Sequence, residues 1–150
     1  MEKLLKIVSN SIFITGIAVL SIYFALRLLG IAEIYKVKTG SMEEGIHAGD
    51  YILIYKKKDY KLGEIVTYRK DGYHVTHRII KKNKKKFITK GDANNIEDEE
   101  IELKSIVGKV IYSGGILNFL IDYKYAISSG LLGLYLLSCY FVKEEKIMEE

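Results

Sequence analysis

The sequence predicts a mainly β domain, built as a small barrel or a pair of packed sheets and flanked by N-terminal and C-terminal transmembrane helices. Two long uncharged apolar segments lie near the ends of the chain, and the middle holds short β-type segments separated by turn signals. The 150 residues leave room for one modest domain between two spans. We expect an N-terminal cytoplasmic tip and anchor over residues 1–29, an extracytoplasmic β domain over 30–124, and a transmembrane helix with a cytoplasmic tail over 125–150.

The first apolar segment, Ile7 to Leu26, contains 20 residues without a charge. As a helix rising about 1.5 Å per residue, it would cross about 30 Å of hydrocarbon. The alternative is a cleaved signal peptide, because "MEKLLK" resembles a positively charged leader. The apolar run is long for a leader, and no small-residue cleavage site follows it, so we expect an uncleaved anchor.

The second apolar segment, Tyr125 to Val142, contains 18 uncharged residues and is at the short end for a span. A core or interfacial helix is the alternative. Lys3 and Lys6 precede the first segment, whereas Lys143 and Lys146 follow the second. If both segments cross, this is a multi-pass protein of the cell membrane whose middle lies outside, since loops longer than about 60 residues translocate largely regardless of charge.

The middle of the chain contains five segments rich in β-branched and aromatic residues, bounded by turn signals. They are Asp50 to Tyr55, Gly63 to Lys70, Tyr73 to Ile80, Lys86 to Gly91 and Val107 to Ser113. Asp71-Gly72 predicts a two-residue hairpin turn, and "KKNKKK" predicts the next turn. Alternation of polar and apolar residues is only partial, as expected for strands buried on both faces.

The charge pattern argues against nucleic-acid binding. The formal net charge is only +4, and positive charges are dispersed except in "KKNKKK", which carries no aromatic side chain for stacking. A solvated hairpin tip explains this lysine run, and we expect no nucleic-acid partner.

Three types of side chain suggest nucleophilic catalysis. Ser41 follows the first apolar segment, His77 lies in a predicted strand, and "TKGDANNIEDEE" supplies carboxylates in a loop. His74 and His77 are three apart, so on one strand they would face opposite sides and at most one would enter a shared cleft. Serine, histidine and aspartate in this order can form a nucleophile, a base and an orienting acid.

Other interpretations of these residues stay open at this point. A serine after a span is usually part of a linker, a strand histidine is usually a half-buried core residue, and an acidic loop is usually a solvated turn. The loop starting at Asp92 lacks the oxygen ligands and glycine of a calcium hand, and the histidines lack zinc-ligand spacing, so we expect no metal site. From spacing alone, a serine hydrolase is one possibility among several.

The motifs resemble the signal peptidase I family, in particular its archaeal and endoplasmic-reticulum type. The similar segments, in chain order, are "TGSMEEGIHAGD", "GEIVTY", "VTHRII", "TKGDANNIED" and "VGKV". The resemblance implies a signal-peptidase-like β catalytic domain with Ser41 as nucleophile, His77 as general base and Asp98 as the aspartate that orients it. It implies that Asp92, the other acid of its motif, positions the loop.

The implied activity is that of a membrane-bound serine endopeptidase that removes signal peptides from exported precursors by acyl-enzyme hydrolysis. The backbone N–H of Ser41 is the candidate oxyanion donor, and no metal or organic cofactor is expected. The expected partners are signal-peptide-bearing precursors and the lipid bilayer, with the secretion translocon as a further candidate. The family usually has a proline shortly after Ser-Met-Glu; here Glu44 and Gly45 occupy that part of the turn.

Two alternatives accompany this function. The chain could be a noncatalytic membrane-tethered β module that acts as an adaptor or assembly subunit. It could also be a peptidase dedicated to a few exported proteins rather than to general precursors.

Overall fold

The computed structural model describes the backbone of residues 2–148, and the side chains of this range except those at 2, 3, 5, 6, 9, 138, 139 and 141–148. The helices are α1 (Glu2–Leu28), α2 (Gly115–Asp122) and α3 (Lys124–Met148). The strands are β1 (Ala32–Lys36), β2 (Tyr51–Tyr55), β3 (Ile65–Lys70), β4 (Tyr73–Asn83), β5 (Lys86–Lys90), β6 (Ile101–Glu102) and β7 (Ile106–Ser113), with a 3-10 turn over Leu103–Ser105. The chain divides into two compact units, Met1–Ala25 with Phe119–Glu150, and Leu26–Asn118.

The first unit contains the two long apolar helices. In the described residues, one stretch, Asn10–Leu28, is long and apolar enough to cross a membrane, with a mean hydropathy of 1.9 and no residue buried. The N-terminal apolar helix predicted from the sequence is therefore confirmed. The second predicted span falls on α3, whose side chains are described only in part, and its crossing of a membrane stays a prediction.

The second unit is a single antiparallel sheet. Its strand order is β1-β2-β7-β3-β4-β5-β6, so the last strand of the chain lies between β2 and β3. The mainly β prediction is confirmed, and the five predicted strands correspond to β2, β3, β4, β5 and β7. Instead of the expected barrel or pair of packed sheets, the described residues form one continuous sheet. Its two edge strands, β1 and β6, were not predicted from the sequence.

The sheet has a hydrophobic cluster on each face, which explains why the strands alternate only in part. Along β3, Val66 and Tyr68 are buried in one cluster, whereas Ile65, the residue before Val66, packs against the other. The first cluster consists of Tyr60, Val66, Tyr68, Ile79, Phe87, Ile101 and Ile106. The second consists of Met42, Ile46, Ile52 and Ile54.

The predicted turns lie where the sequence indicates. Asp71 and Gly72 have φ of 50° and 82°, as a two-residue hairpin turn requires. Strand β4 continues to Asn83, past the predicted end at Ile80, because its lysine-rich end pairs with β5. This narrows the turn in "KKNKKK" to the two residues after Asn83, where Lys84 has a φ of 53°.

Candidate active site

Ser41 lies on a loop, residues 38–49, that we call the serine loop. Backbone hydrogen bonds close its base: the Val37 N–H donates to the Asp50 carbonyl at 2.8 Å, and the Gly49 N–H donates to the Val37 carbonyl at 2.9 Å. Met42 and Ile46 are buried in the second cluster and anchor the loop to the sheet. The neighbouring Ser41 stays partly exposed, which is the placement that a reactive hydroxyl needs.

His77 lies in the middle of β4, where its pairing with Val66 of β3 holds the backbone rigid. The residue is 6% exposed, and its ring and the Tyr68 ring meet in an edge-type contact at a centroid distance of 6.4 Å. His77 Nε2 lies 3.0 Å from Ser41 Oγ. The strand therefore holds the imidazole within hydrogen-bond reach of the serine hydroxyl.

Asp98 comes from the loop after β5, residues 91–100, that we call the acidic loop. Its Oδ2 lies 2.6 Å from His77 Nδ1. Because an ionised carboxylate can only accept, Nδ1 carries the proton and Nε2 is left to accept the hydroxyl proton of Ser41. The structure thus brings Ser41, His77 and Asp98 into one hydrogen-bonded series.

Two hydroxyl groups that the sequence analysis did not single out also contact this carboxylate. Thr89 Oγ1 donates to Asp98 Oδ2 at 2.7 Å, and Tyr68 OH donates to the same oxygen at 3.2 Å. Burial raises the pKa of Tyr68 to about 12, and the negative charge of Asp98 adds to this effect. The phenol therefore stays protonated and remains a donor at neutral pH. Both residues resemble ordinary β-strand residues in the sequence, so no local signal indicated them.

Asp92 forms no hydrogen bond with Ser41, His77 or Asp98 in the described part of the chain, and instead makes a bidentate pair with Arg78. Arg78 Nε donates to Oδ1 at 2.9 Å and Nη2 to Oδ2 at 2.7 Å, while Nη1 donates to the Gly63 carbonyl at 2.8 Å. The Asp92 carboxylate raises the pKa of the Arg78 guanidinium by this hydrogen bonding. The pair ties the acidic loop to β4, a geometry consistent with the loop-positioning role expected for Asp92.

The acidic loop also packs directly on the serine loop. The Ala93 N–H donates to the Ser41 carbonyl at 3.0 Å. A Cβ added at Gly91 would lie only 2.5 Å from that carbonyl oxygen, closer than real Cβ contacts come. Glycine at 91 is therefore what lets the two loops approach.

The backbone N–H of Ser41 forms no hydrogen bond with any group in the part of the chain that the structure describes. It therefore stays available for a ligand. This is compatible with the oxyanion role expected for it, which stays a prediction.

A cleft of about 750 Å³ opens beside Ser41 and His77. It runs between the segment from Tyr35 to Thr39 and the β3–β4 hairpin. The expectation that at most one of His74 and His77 would enter a shared cleft is wrong, because the cleft extends along β4 as far as the hairpin turn at Gly72 and both residues line it. His77 alone of the two bonds to Ser41; His74 is exposed and its ring contacts the Tyr35 ring at 4.6 Å.

The turn after Ser41 differs from the family pattern in a way that the backbone explains. Glu44 has a φ of 75°, which proline cannot adopt. Glu43 stabilises the turn instead, because its carboxylate accepts from the Ala48 N–H at 3.2 Å and pairs with His47 Nδ1 at 2.6 Å. His47, the remaining histidine of the chain, is exposed and lies outside the candidate site.

An antiparallel sheet that holds a serine hydroxyl, an imidazole and a carboxylate in series has the geometry of a serine hydrolase. Residues 31–111 match the family model described as Peptidase S24-like. Since this match covers more than half of the 150 residues, the chain belongs to the Peptidase S24-like family.

Curated relatives agree with this assignment. The chain is similar to the signal peptidase complex catalytic subunit SEC11 of Metarhizium acridum (strain CQMa 102), at 33% identity over 97 residues that cover 53% of this chain and 56% of that protein. It is also similar to SEC11 of Plasmodium falciparum (isolate 3D7), at 38% identity over 69 residues that cover 41% of this chain and 38% of that protein. The chain thus spans about half the length of the curated relatives it matches, or less. The resemblance to the endoplasmic-reticulum type of signal peptidase I is confirmed.

Proposed function

We propose that this protein is a membrane-tethered serine endopeptidase that removes signal peptides from exported precursor proteins. The observation that carries the proposal is the series from Ser41 Oγ to His77 Nε2 at 3.0 Å and from His77 Nδ1 to Asp98 Oδ2 at 2.6 Å. The names of the SEC11 relatives support signal peptides as the substrate.

In this mechanism Ser41 is the nucleophile and His77 the general base. As Oγ attacks the carbonyl carbon of the scissile bond, His77 Nε2 accepts the hydroxyl proton. The imidazolium then donates that proton to the leaving amine, and an acyl-enzyme remains on Ser41. A water molecule, deprotonated by the same nitrogen, attacks the acyl carbonyl and releases the new carboxylate.

Two further features fit these steps. Asp98 stabilises the positive imidazolium across the bond to Nδ1 and holds the ring with Nε2 toward Ser41. The Ser41 N–H is the first candidate donor to the oxyanion that forms on attack. Charge stabilisation of this kind comes from fixed protein groups, so the proposed reaction requires no metal or organic cofactor.

The proposed location is the cell membrane, with the β domain on the extracytoplasmic side. The apolar stretch Asn10–Leu28 supports a membrane anchor, and α3 is proposed as a second crossing. Signal peptides leave the bilayer at its outer face, so a tethered nucleophile meets them at a high effective concentration. The lipid bilayer and, as a further candidate, the secretion translocon are the proposed partners besides the precursors.

Cleavage of a signal-peptide-bearing precursor by the full chain in detergent micelles tests this function. We expect Ser41→Ala and His77→Ala to abolish cleavage and Asp98→Asn to reduce kcat by at least about 100-fold, since members of a triad act as a unit. The control is Ser105→Ala, because the Ser105 hydroxyl donates to the Glu102 carbonyl outside the site. We expect this variant to cleave like the wild type.

Full activity of Ser41→Ala would rule out the serine mechanism. A wild-type protein that cleaves no precursor would support the adaptor alternative. Comparing general precursors with the products of neighbouring genes would separate a general peptidase from a dedicated one.

A further inference from the structure

One oxygen of Asp98 accepts three hydrogen bonds. Besides His77 Nδ1 at 2.6 Å, Oδ2 accepts from Thr89 Oγ1 at 2.7 Å and from Tyr68 OH at 3.2 Å. The mechanism above uses only the first of these contacts. The other two donors are unexplained by it, and we call them the hydroxyl pair.

The hydroxyl pair is placed by the sheet rather than by loops. Tyr68 lies on β3 and Thr89 on β5, the two strands that flank β4 with His77 between them. Thr89 is 0% exposed and Tyr68 is 1% exposed, so both hydroxyls are shielded from bulk solvent. Strand positions give more precise geometry than loop positions do.

Asp98 itself comes from a loop and needs such support. Thr89 holds it twice, because the Thr89 carbonyl accepts from the Asp98 N–H at 2.8 Å while its hydroxyl donates to the side chain. Tyr68 contacts both partners of the bond, since its hydroxyl reaches Asp98 and its ring meets the His77 ring in an edge-type contact.

We propose that Thr89 and Tyr68 are positioning residues of the candidate catalytic site, which fix the Asp98 carboxylate so that Oδ2 receives the His77 N–H. The proposal rests on the proposed peptidase function and deepens it. An oxygen that already accepts from two hydroxyls is a weaker proton acceptor, so the imidazole proton stays on Nδ1. His77 Nε2 is then kept in the form that takes the Ser41 proton.

If the hydroxyl pair had a purely structural role, the expected effect of removing it would be different. In that case the hydroxyls only satisfy buried polar groups, and removing them lowers stability without a specific effect on the chemical step. The two roles therefore differ in kcat measured on folded protein at saturating substrate.

The test uses three variants of the full chain in micelles and measures kcat and KM for precursor cleavage. Thr89→Val keeps the shape but removes the hydroxyl, and we expect kcat to fall on the order of tenfold with KM within about twofold. Thr89→Ser restores a hydroxyl, and we expect it to recover kcat to within about threefold of the wild type. Tyr68→Phe removes the longer hydrogen bond, from Tyr68 OH to Asp98 Oδ2, and we expect kcat to fall about threefold.

Tyr60→Phe is the matched control. Tyr60 is a buried tyrosine of the same hydrophobic cluster, and its hydroxyl accepts from the Lys57 N–H rather than reaching Asp98. We expect its kcat to stay within twofold of the wild type, although it loses a buried hydroxyl as Tyr68→Phe does.

Several outcomes would overturn the proposal. These are wild-type kcat in both Thr89→Val and Tyr68→Phe, an equal loss in Thr89→Ser and Thr89→Val, or an equal loss in Tyr60→Phe and Tyr68→Phe. If Thr89→Val does not fold, the comparison of kcat between Tyr68→Phe and Tyr60→Phe decides whether the proposal holds. Cleavage that survives in Ser41→Ala would instead reject the peptidase mechanism, so the two failures are distinguishable.

Discussion

At the scale of single residues, Glu44 has an unusual backbone for a residue with a side chain. Its φ of 75° costs an L-residue about 1 kcal/mol relative to glycine. The signal peptidase pattern usually has a proline in this part of the turn, yet proline fixes φ near −65°. The serine loop thus reaches its shape by a different backbone path from the one that proline would impose.

The positive φ of Glu44 leads us to expect opposite effects from two substitutions at this position. We expect Glu44→Gly to raise the free energy of unfolding by about 1 kcal/mol and to keep activity, because glycine adopts the left-handed region freely. Glu44→Pro should displace the serine loop and reduce cleavage strongly. Thermal unfolding and cleavage rates in micelles measure both, and a fully active Glu44→Pro protein would contradict this account of the turn.

Gly91 controls the contact between the two loops of the candidate site. We expect Gly91→Ala to push the acidic loop away from the Ser41 carbonyl and to reduce cleavage on the order of 100-fold, since a shift of about 1 Å at a reacting group has effects of this size.

The control for Gly91→Ala is Gly130→Ala, where an added Cβ meets nothing within 4 Å. We expect this variant to keep its activity. Equal activity of the two alanine variants would show that the close approach at Gly91 is not required.

Sequence patterns predicted the residues of the candidate site unequally. Ser41 next to Met42 and the histidine of "VTHRII" stand in recognisable motifs, and the structure brings their side chains together with Asp98. Thr89 and Tyr68 could not be predicted. Their hydroxyls reach Asp98 only because β3 and β5 flank β4, and this neighbourhood is a property of the sheet.

At the scale of elements, Glu64 ties the segment after β2 to the centre of the sheet. It accepts from Lys57 Nζ at 2.7 Å, from the Lys61 N–H at 3.0 Å, and from Lys109 Nζ of β7 at 3.1 Å. Burial alone would raise the Glu64 pKa, but these hydrogen bonds and the positive charges hold it at about 2. The carboxylate form is therefore strongly favoured in the folded protein.

This pKa predicts a pH-dependent stability. A carboxylate with a lowered pKa stabilises the fold fully above its ordinary pKa of about 4.5, and the stabilisation is lost as the pH falls toward 2. We expect Glu64→Gln to lose up to roughly 3 kcal/mol of the free energy of unfolding at pH 7 and to match the wild type near pH 2. Unfolding by denaturant across this pH range measures the difference, and a gap independent of pH would contradict the prediction.

The elements that the sequence did not predict are those that depend on a partner. Strand β1, "AEIYK", carries two charges and follows the apolar helix, and it is a strand because each of its residues pairs with β2. Strand β6 has two residues inside an acidic run and exists through its pairing with β5. Such edge strands lack the hydrophobic pattern that identifies central ones.

At the scale of the whole molecule, we predict that α1 and α3 both cross the membrane. One small epitope inserted at the turn after Asn83 and another fused after Glu150 would report on which side of the membrane each position lies. If α1 and α3 both cross, the turn epitope is accessible to antibody in intact cells, whereas the terminal epitope becomes accessible only after permeabilisation. Accessibility of both in intact cells would show that α3 does not cross.

The position of β7 has a consequence for the biosynthesis of the protein. Within the described residues, β7 is the strand that joins the β1–β2 pair beside Ser41 to the four strands that carry His77 and anchor Asp98. It is also the last of the described strands in chain order. A nascent polypeptide that has not yet reached Ile106 lacks the strand between these two groups, so we expect Ser41 and His77 to be held together only once β7 has been synthesised and has paired with β2 and β3.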